Sequence, residues 1–234
     1  MGKDVDCLME AIMKEKIFGI RVERLLLNCQ QTLYMVGWAL LIGTLVGAVL
    51  ALLLVLTRKG GVRENPVVYA VISAYINVVR SVPFVILLVT IMPMTRAIIG
   101  TTIGSRAALV PLVVYISPYL ARLMENSLLE VSPGIIEAAQ AMGATTVPII
   151  RYVLIPEALA SIVLALTTGT IGLLGASAMA GYVGGGGVGD LALTYGYEKM
   201  NTPLMILTVI ILVIFVQLVQ FLGGRIARRL RSHR

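Results

Sequence analysis

The chain has 234 residues, of which 58% are hydrophobic and only 13% are charged, whereas a soluble globular protein carries about 25% charged residues. So few charges cannot cover a water-facing surface, and the composition therefore predicts an all-α integral membrane protein. The net charge of +7 is spread too thinly to indicate nucleic-acid binding, so we expect no nucleic acid among the partners. Excess Lys and Arg are instead typical of cytoplasmic loop ends.

Metal chemistry and histidine catalysis are poorly supported by the sequence. Cys7 and Cys29 have neither metal-ligand nor redox-motif spacing, and the single histidine, His233, lies one residue from the C-terminus. We therefore predict no catalytic residues, no metal and no cofactor in this chain.

Three long uncharged stretches predict secure membrane-spanning helices. They cover residues 25–57, 158–189 and 200–224, and each exceeds the roughly 20 residues needed to cross the hydrocarbon layer. Two shorter stretches, 81–95 and 107–121, are bracketed by arginines whose side chains can reach the membrane interface. The prediction is five transmembrane helices, in a transmembrane domain of residues 25–230. Residues 1–24, which mix both signs of charge and show no signal peptide, form a separate non-membrane segment, and residues 231–234 form a basic tail.

Residues 66–79 form a further apolar stretch in which Tyr69, Ser73 and Asn77 recur every four residues. This spacing predicts a helix with one polar stripe, either packed in the bundle or at the interface, or contributing to a polar pathway. Ser81 followed by Pro83 predicts the N-cap of a new helix.

Two further spacings concern helix packing. Gly43, Gly47 and Ala51 would let another helix approach closely, unless they reflect only the high glycine content of membrane helices. Arg122 and Glu125, three residues apart, are predicted to pair near the cytoplasmic interface.

The distribution of basic residues predicts the orientation. With the C-terminus inside, the segments 58–80, 122–151 and 225–234 are cytoplasmic and hold 11 Lys and Arg, against 8 on the other side. The C-terminal tail contains no acidic residue and directly follows a secure span. We therefore predict that the N-terminus is outside and the C-terminus inside.

The loop between the third and fourth spans predicts a short helix. Ser132 is a suitable N-cap, Pro133 suits the first helical position, and Gly143 suits the position just past the C-terminus. Ala138, Ala139 and Ala141 would give this helix a surface of small side chains that fits a narrow groove. Such a helix is suited to transmitting a movement of a soluble partner to the membrane helices. An amphipathic connector lying on the membrane has the same composition and is the alternative. Residues 146–156 would lead into the fourth span.

The same loop resembles the signature loop of permeases of ATP-binding-cassette (ABC) importers, Glu-Ala-Ala-x3-Gly-x9-Ile-x-Leu-Pro. The sequence has Glu137, Ala138, Ala139 and Gly143, and ends in Val153-Leu-Ile-Pro156, with Val153 and Ile155 replacing Ile and Leu. The resemblance implies the fold of a type I ABC importer permease, in which this cytoplasmic coupling helix docks on a separate ATPase. Glu137 and Gly143 are the positions most expected to matter.

The wider sequence, from about residue 25 to 230, is similar to the permease family of bacterial methionine importers, within the binding-protein-dependent transport system inner-membrane components. The similar segments are residues 80–84, 92–93, 95–96, 103–104, 121–122, 125–126, 128–130, 141–145, 156–159, 177–179 and 195–197. The resemblance implies two copies of this chain, two copies of the ATPase and a substrate-binding lipoprotein outside the cell. It also implies a location in the bacterial inner membrane, within the lipid bilayer.

Other motifs are discounted. Residues 187–190, Gly-Val-Gly-Asp, match part of the intramembrane aspartyl protease motif, but the other aspartates, Asp4 and Asp6, lie in the N-terminal segment. Residues 184–187 lack the Gly-Lys-Ser/Thr of a phosphate-binding loop. They predict a flexible turn at the outer end of the fourth span, where glycines permit either tight backbone geometry or the movement of a gate.

Near that turn, Ser177, Met179 and Tyr182 are candidates for lining the pathway, with ordinary helix packing as the alternative. The leading hypothesis is the transmembrane subunit of an ABC importer for an amino acid, methionine in the D or L form or both. The alternatives are a secondary transporter or channel that works alone, a permease for another small substrate, and a membrane scaffold.

Overall fold

A computed structural model of the chain describes residues 16–232, except for the side chains of Tyr182 and Ser232. The expected segment 1–24 and the expected tail 231–234 therefore lie only partly within the described residues. Cys7 and His233 lie outside them. The described part begins with a two-stranded antiparallel hairpin, β1 (Lys16–Ile17) and β2 (Ile20–Arg21). Asn201, the residue before the last helix, holds this hairpin in place, because its Nδ2 donates a hydrogen bond to the Phe18 carbonyl (2.7 Å).

Nine helices follow within the described residues: α1 (Val22–Thr57), α2 (Pro66–Ser81), α3 (Phe84–Thr90), α4 (Met92–Ile99), α5 (Ser105–Leu129), α6 (Pro133–Ala141), α7 (Thr146–Ala180), α8 (Val188–Asp190) and α9 (Thr202–Ser232). Helix α7 contains a π-helical turn, Ile149–Leu154, and two further π-helical segments, Gly181–Gly185 and Leu191–Tyr197, flank α8. Four helices are long and apolar enough to cross a membrane: α1, α5, α7 and α9. The three secure spans and the span at 107–121 are thus present as continuous helices.

The predicted span at 81–95 is wrong as a continuous helix. Ser81 is the last residue of α2 rather than an N-cap, and its Oγ donates to the Asn77 carbonyl (2.7 Å). The chain is extended at Val82 (ψ 124°) and a new helix begins at Phe84. The reason is local, because a proline disfavours the helical conformation of the residue before it. Helices α2 and α3 meet at 104° and give the fifth crossing only if they count together as one bent span.

The centre of the bundle is the contact between α1 and α5. Ala51 is fully buried there, and a Cβ added to Gly47 would lie 2.9 Å from the Ser117 carbonyl oxygen. The backbones therefore approach closely along the predicted row of small residues, as is typical of helices packed in membranes. A cluster of buried side chains from α1, α5 and α7 extends from this contact and includes Met35, Leu112, Ile116, Leu120 and Leu173.

The glycine-rich turn after α7 is held against α1. The Gly187 amide donates to Gln31 Oε1 and the Val188 amide donates to Thr32 Oγ1, both at 2.9 Å. The predicted turn at 184–187 is confirmed, and two polar side chains of the first span satisfy backbone groups that would otherwise be buried without partners.

Candidate functional site

Helix α6 begins and ends where the sequence predicted. Ser132 occupies the N-cap position and Pro133 the first helical position, although the Ser132 hydroxyl makes no capping bond. At the other end Gly143 has φ +81°. The Gly143 amide bonds to the Gln140 carbonyl (2.9 Å) and the Ala144 amide to the Ala139 carbonyl (3.0 Å). These two bonds form a Schellman motif, which stops the helix and favours glycine at the left-handed position.

The candidate coupling residues do not all face the same way. Glu137, Ala138 and Gly143 are exposed, as is Ala141. Ala139, however, is only 6% exposed, so the expectation that it shares the small-residue surface is wrong. A nine-residue helix with 3.6 residues per turn must turn one face inward when it packs on the bundle, and position 139 lies on that face.

Ala139 connects α6 mechanically to the membrane helices. It belongs to one buried cluster with Val55 at the end of α1, Leu128 at the end of α5, and Ile149 and Leu154 near the start of α7. Close-packed interiors transmit displacement, so a movement of α6 acts on three spans at once. The Ser161 hydroxyl also donates a hydrogen bond to the Glu130 carboxylate, which joins the end of α5 to α7.

The three candidate pathway residues do not converge in the single chain. Ser177 is 2% exposed and its Oγ donates to the Leu174 carbonyl (2.7 Å). Met179 is 49% exposed on another side of α7. The Tyr182 side chain lies outside the described residues. A role for these residues in the pathway therefore stays a prediction.

The polar stripe of α2 meets α5 through Arg122. Its Nη2 donates to Ser73 Oγ and to Asn77 Oδ1, both at 3.0 Å, and its Nη1 donates to Glu125 at 2.6 Å. Glu125 is 3% exposed, so this carboxylate is buried and paired. The predicted ion pair forms. The stripe contacts α5 with Ser73 half-buried and Asn77 exposed, so the choice between a packing surface and a polar pathway stays a prediction.

Arg80 extends this stripe, since it follows Asn77 by three residues on α2. Its guanidinium carbon lies 5.7 Å from the centre of the Tyr119 ring. Tyr119 stacks on Tyr115 with ring centres 6.3 Å apart, and Tyr115 meets the edge of Phe84 at 5.2 Å. Sequence reasoning missed this cluster, although the continuation of the stripe to position 80 was a usable signal.

The contact with Tyr119 indicates how deep the Arg80 side chain reaches. Tyr119 stands ten residues before the last residue of α5, which is about 15 Å along a helix whose 25 residues extend about 37 Å. The Arg80 guanidinium is therefore level with the middle of α5, while its assignment to the end of a cytoplasmic segment stays a prediction. Without Arg80, the inside segments hold 10 basic residues, still more than the 8 outside.

Comparison with known proteins identifies the family. Residues 43–232 match the family described as binding-protein-dependent transport system inner membrane component. The chain belongs to this family. Helices α2 to α9 lie within the match, and so do the polar stripe and Arg80. No group of three or more His, Cys, Asp or Glu side chains that could hold a metal ion occurs among residues 16–232.

Relatives in this inner-membrane family match most of the chain. The probable D-methionine transport system permease protein MetI of Vibrio cholerae is 45% identical over 217 residues, covering 93% of this chain and 96% of the relative. The methionine import system permease protein MetP of Bacillus subtilis is 41% identical, covering 74% and 78%.

A solved structure of the MetNI methionine ABC transporter in inward-facing conformations aligns with a TM-score of 0.88 at 45% identity, over 89% of this chain and 97% of that one. An amino acid ABC transporter solved with histidines shares the fold, with a TM-score of 0.74 at 24% identity.

Proposed function

We propose that this chain is the transmembrane subunit of an ATP-driven importer of methionine, as the D or L form or both. The observation that carries the proposal is the match, at 45% identity over 93% of the chain, to a permease named for D-methionine transport. The alignment with the MetNI transporter supports the same activity. ATP hydrolysis belongs to a partner subunit, because the sequence lacks a phosphate-binding Gly-Lys-Ser/Thr motif.

The proposed assembly contains two copies of this chain and two copies of an ABC ATPase, with a binding lipoprotein that delivers the substrate from outside. The N-terminus is outside and the C-terminus inside, so α6 lies in the cytoplasm. Its exposed Glu137 and Ala138 are the contact with the ATPase. The left-handed turn at Gly143 ends the helix.

Transport proceeds by alternating access. Nucleotide-driven closure of the ATPases moves α6, and the packing of Ala139 against the ends of α1, α5 and α7 carries that movement into the membrane. The ATPase thereby favours one of two bundle arrangements, and its differential affinity for the two supplies the free energy of the change.

The double substitution Glu137→Ala with Gly143→Leu tests the coupling. It removes the exposed carboxylate and places a branched side chain at φ +81°, a conformation that costs a non-glycine residue about 1–3 kcal/mol. We expect the ATPase to co-purify at least tenfold less well and methionine uptake into proteoliposomes to fall by a similar factor.

Two matched variants accompany the test. Gly143→Asn should retain most activity, because asparagine tolerates the left-handed conformation. Glu198→Ala removes an exposed carboxylate just after the π-helical segment Leu191–Tyr197 and should leave methionine uptake unchanged. Uptake by the double variant at the wild-type level would refute the coupling role of α6, and methionine flux through the chain without any ATPase would favour a stand-alone transporter.

A further inference from the structure

Arg80 has no counter-charge within the described part of the chain. No carboxylate of residues 16–232 lies within ion-pair distance of it, whereas Arg122, the neighbouring arginine on the stripe, is paired with Glu125. An arginine side chain does not lose its proton in proteins, so this charge persists at mid-span. Arg80 is also exposed on the surface of the single chain.

A persistent cation at this depth cannot face lipid without a large penalty. Ionised residues inside membrane proteins face the bundle interior or a water-filled cavity, and they mark substrate and ion pathways. In the assembled transporter the exposed face around Arg80 must therefore meet protein or water rather than lipid, and a water-filled pathway meets this requirement. The single ring contact with Tyr119, at 5.7 Å, is near the outer limit of a cation–π interaction and leaves the hydrogen-bond donors free.

The side chains around Arg80 offer one contact for each end of an apolar amino acid: a cation for its carboxylate and aromatic rings for its side chain. The guanidinium presents a planar set of donors that fits a carboxylate in a bidentate manner. The partly exposed rings of Tyr119 and Tyr115 continue from it to Phe84. Aromatic rings make favourable contacts with thioether sulfur as well as with alkyl groups, so this surface suits an aliphatic or thioether side chain.

We propose that Arg80, Tyr119 and Tyr115 form a transient substrate site in the pathway, at which Arg80 binds the carboxylate of the amino acid and the two rings contact its side chain. The proposal rests on the proposed transport of methionine and adds a site to it. The substrate carboxylate supplies the counter-charge that Arg80 lacks among residues 16–232, and each transport cycle must release it again.

The test uses the chain assembled with its ATPase in nanodiscs and in proteoliposomes supplied with the binding protein. Radiolabelled methionine is bound at equilibrium in nanodiscs and displaced by unlabelled methionine or by methioninol, which lacks the carboxylate. We expect methioninol to compete at least tenfold less well. Arg80→Gln should lower methionine affinity at least tenfold and abolish the difference between the two competitors, and Arg80→Lys should lie between Arg80→Gln and the wild type.

Two controls separate this role from a structural one. Arg106→Gln removes an exposed arginine in the first turn of α5, away from Tyr119. This variant should keep methionine affinity within twofold of the wild type. Tyr119→Phe keeps the ring and should bind methionine nearly normally, whereas Tyr119→Ala should bind it several-fold more weakly. ATPase co-purification and basal ATP hydrolysis should be unchanged in Arg80→Gln while uptake per ATP falls at least tenfold.

The outcomes distinguish the two levels of the proposal. Wild-type assemblies without ATP-dependent methionine uptake would refute the proposed function itself. Normal wild-type uptake combined with unchanged affinity in Arg80→Gln, or with equal competition by methioninol, would refute the carboxylate site alone. Loss of chain pairing in both Arg80→Gln and Arg80→Lys would also refute it, because that result would assign the arginine to the contact between two copies.

Discussion

Arg122 joins two helices through one side chain. It binds Glu125 on its own helix and both Ser73 and Asn77 on α2, so four polar groups satisfy one another in a network that runs from the buried Glu125 to the exposed Asn77. A spacing of three residues was enough to predict the ion pair. The link to α2 required two helices to lie side by side, which the spacing along one helix does not specify.

Glu125→Gln is predicted to destabilise the protein by about 3 kcal/mol, because it leaves the Arg122 charge without its partner in a buried place. The double variant Arg122→Gln with Glu125→Gln should recover part of this loss, since it removes the uncompensated charge. Thermal unfolding of the detergent-solubilised chain measures both effects. Asn77→Ala, which removes only one hydrogen bond from the exposed side of the network, serves as the control and should cost about 1 kcal/mol. A double variant less stable than Glu125→Gln would contradict the assignment.

Packing between helices α1 and α5 depends on one face of α1. Gly47 faces the Ser117 carbonyl and the Leu120 Cβ, at 2.9 and 3.1 Å from an added Cβ. Gly37 lies on the same helix with nothing within 4 Å. A side chain at position 47 would collide with the backbone of α5, which cannot move aside as the end of a side chain can, whereas a side chain at position 37 would meet open space.

Gly47→Val is therefore expected to lower the free energy of unfolding by about 3 kcal/mol, the upper end of typical overpacking costs. Gly37→Val on the same helix should change it by less than about 0.5 kcal/mol. Unfolding of both variants in the same detergent gives the comparison. Equal stability of the two variants would show that the α1–α5 contact does not set the stability of the bundle.

Across the whole molecule, helix α6 precedes α7 and the turn at residues 198–201 follows it, with the crossing of α7 between them. Met200 is 84% exposed after α8 and Met142 is 82% exposed at the end of α6. Because a single crossing separates them, the two positions must face opposite sides of the membrane. They therefore report the orientation directly.

Single-cysteine variants Met142→Cys and Met200→Cys, in a chain with Cys7 and Cys29 replaced by serine, test the N-out and C-in orientation. In right-side-out vesicles a membrane-impermeant maleimide should label Met200→Cys and spare Met142→Cys. Inside-out vesicles should give the reverse pattern. Labelling of Met142→Cys from outside would overturn both the orientation and the placement of α6 next to a cytoplasmic ATPase.

The sequence alone determined the features that depend on neighbouring residues. The lengths of the uncharged stretches gave the long spans, because a helix must satisfy its own backbone groups in lipid. Ser132, Pro133 and Gly143 gave the limits of α6, because caps and left-handed turns have strong local residue preferences. Conversely, the sequence placed the N-cap of the next helix at Ser81, two residues before the observed N-cap Pro83, since serine suits a helix end as well as an N-cap.

Only the tertiary structure decided which side chains meet across helices. It turned Ala139 inward, placed Gly47 against the backbone of α5, and set Arg80 beside Tyr119 at mid-span. Each of these outcomes depends on the rotation and depth of one helix relative to another. Residue spacing fixes the face on which a side chain lies, but the packing of the complete bundle determines what that face contacts.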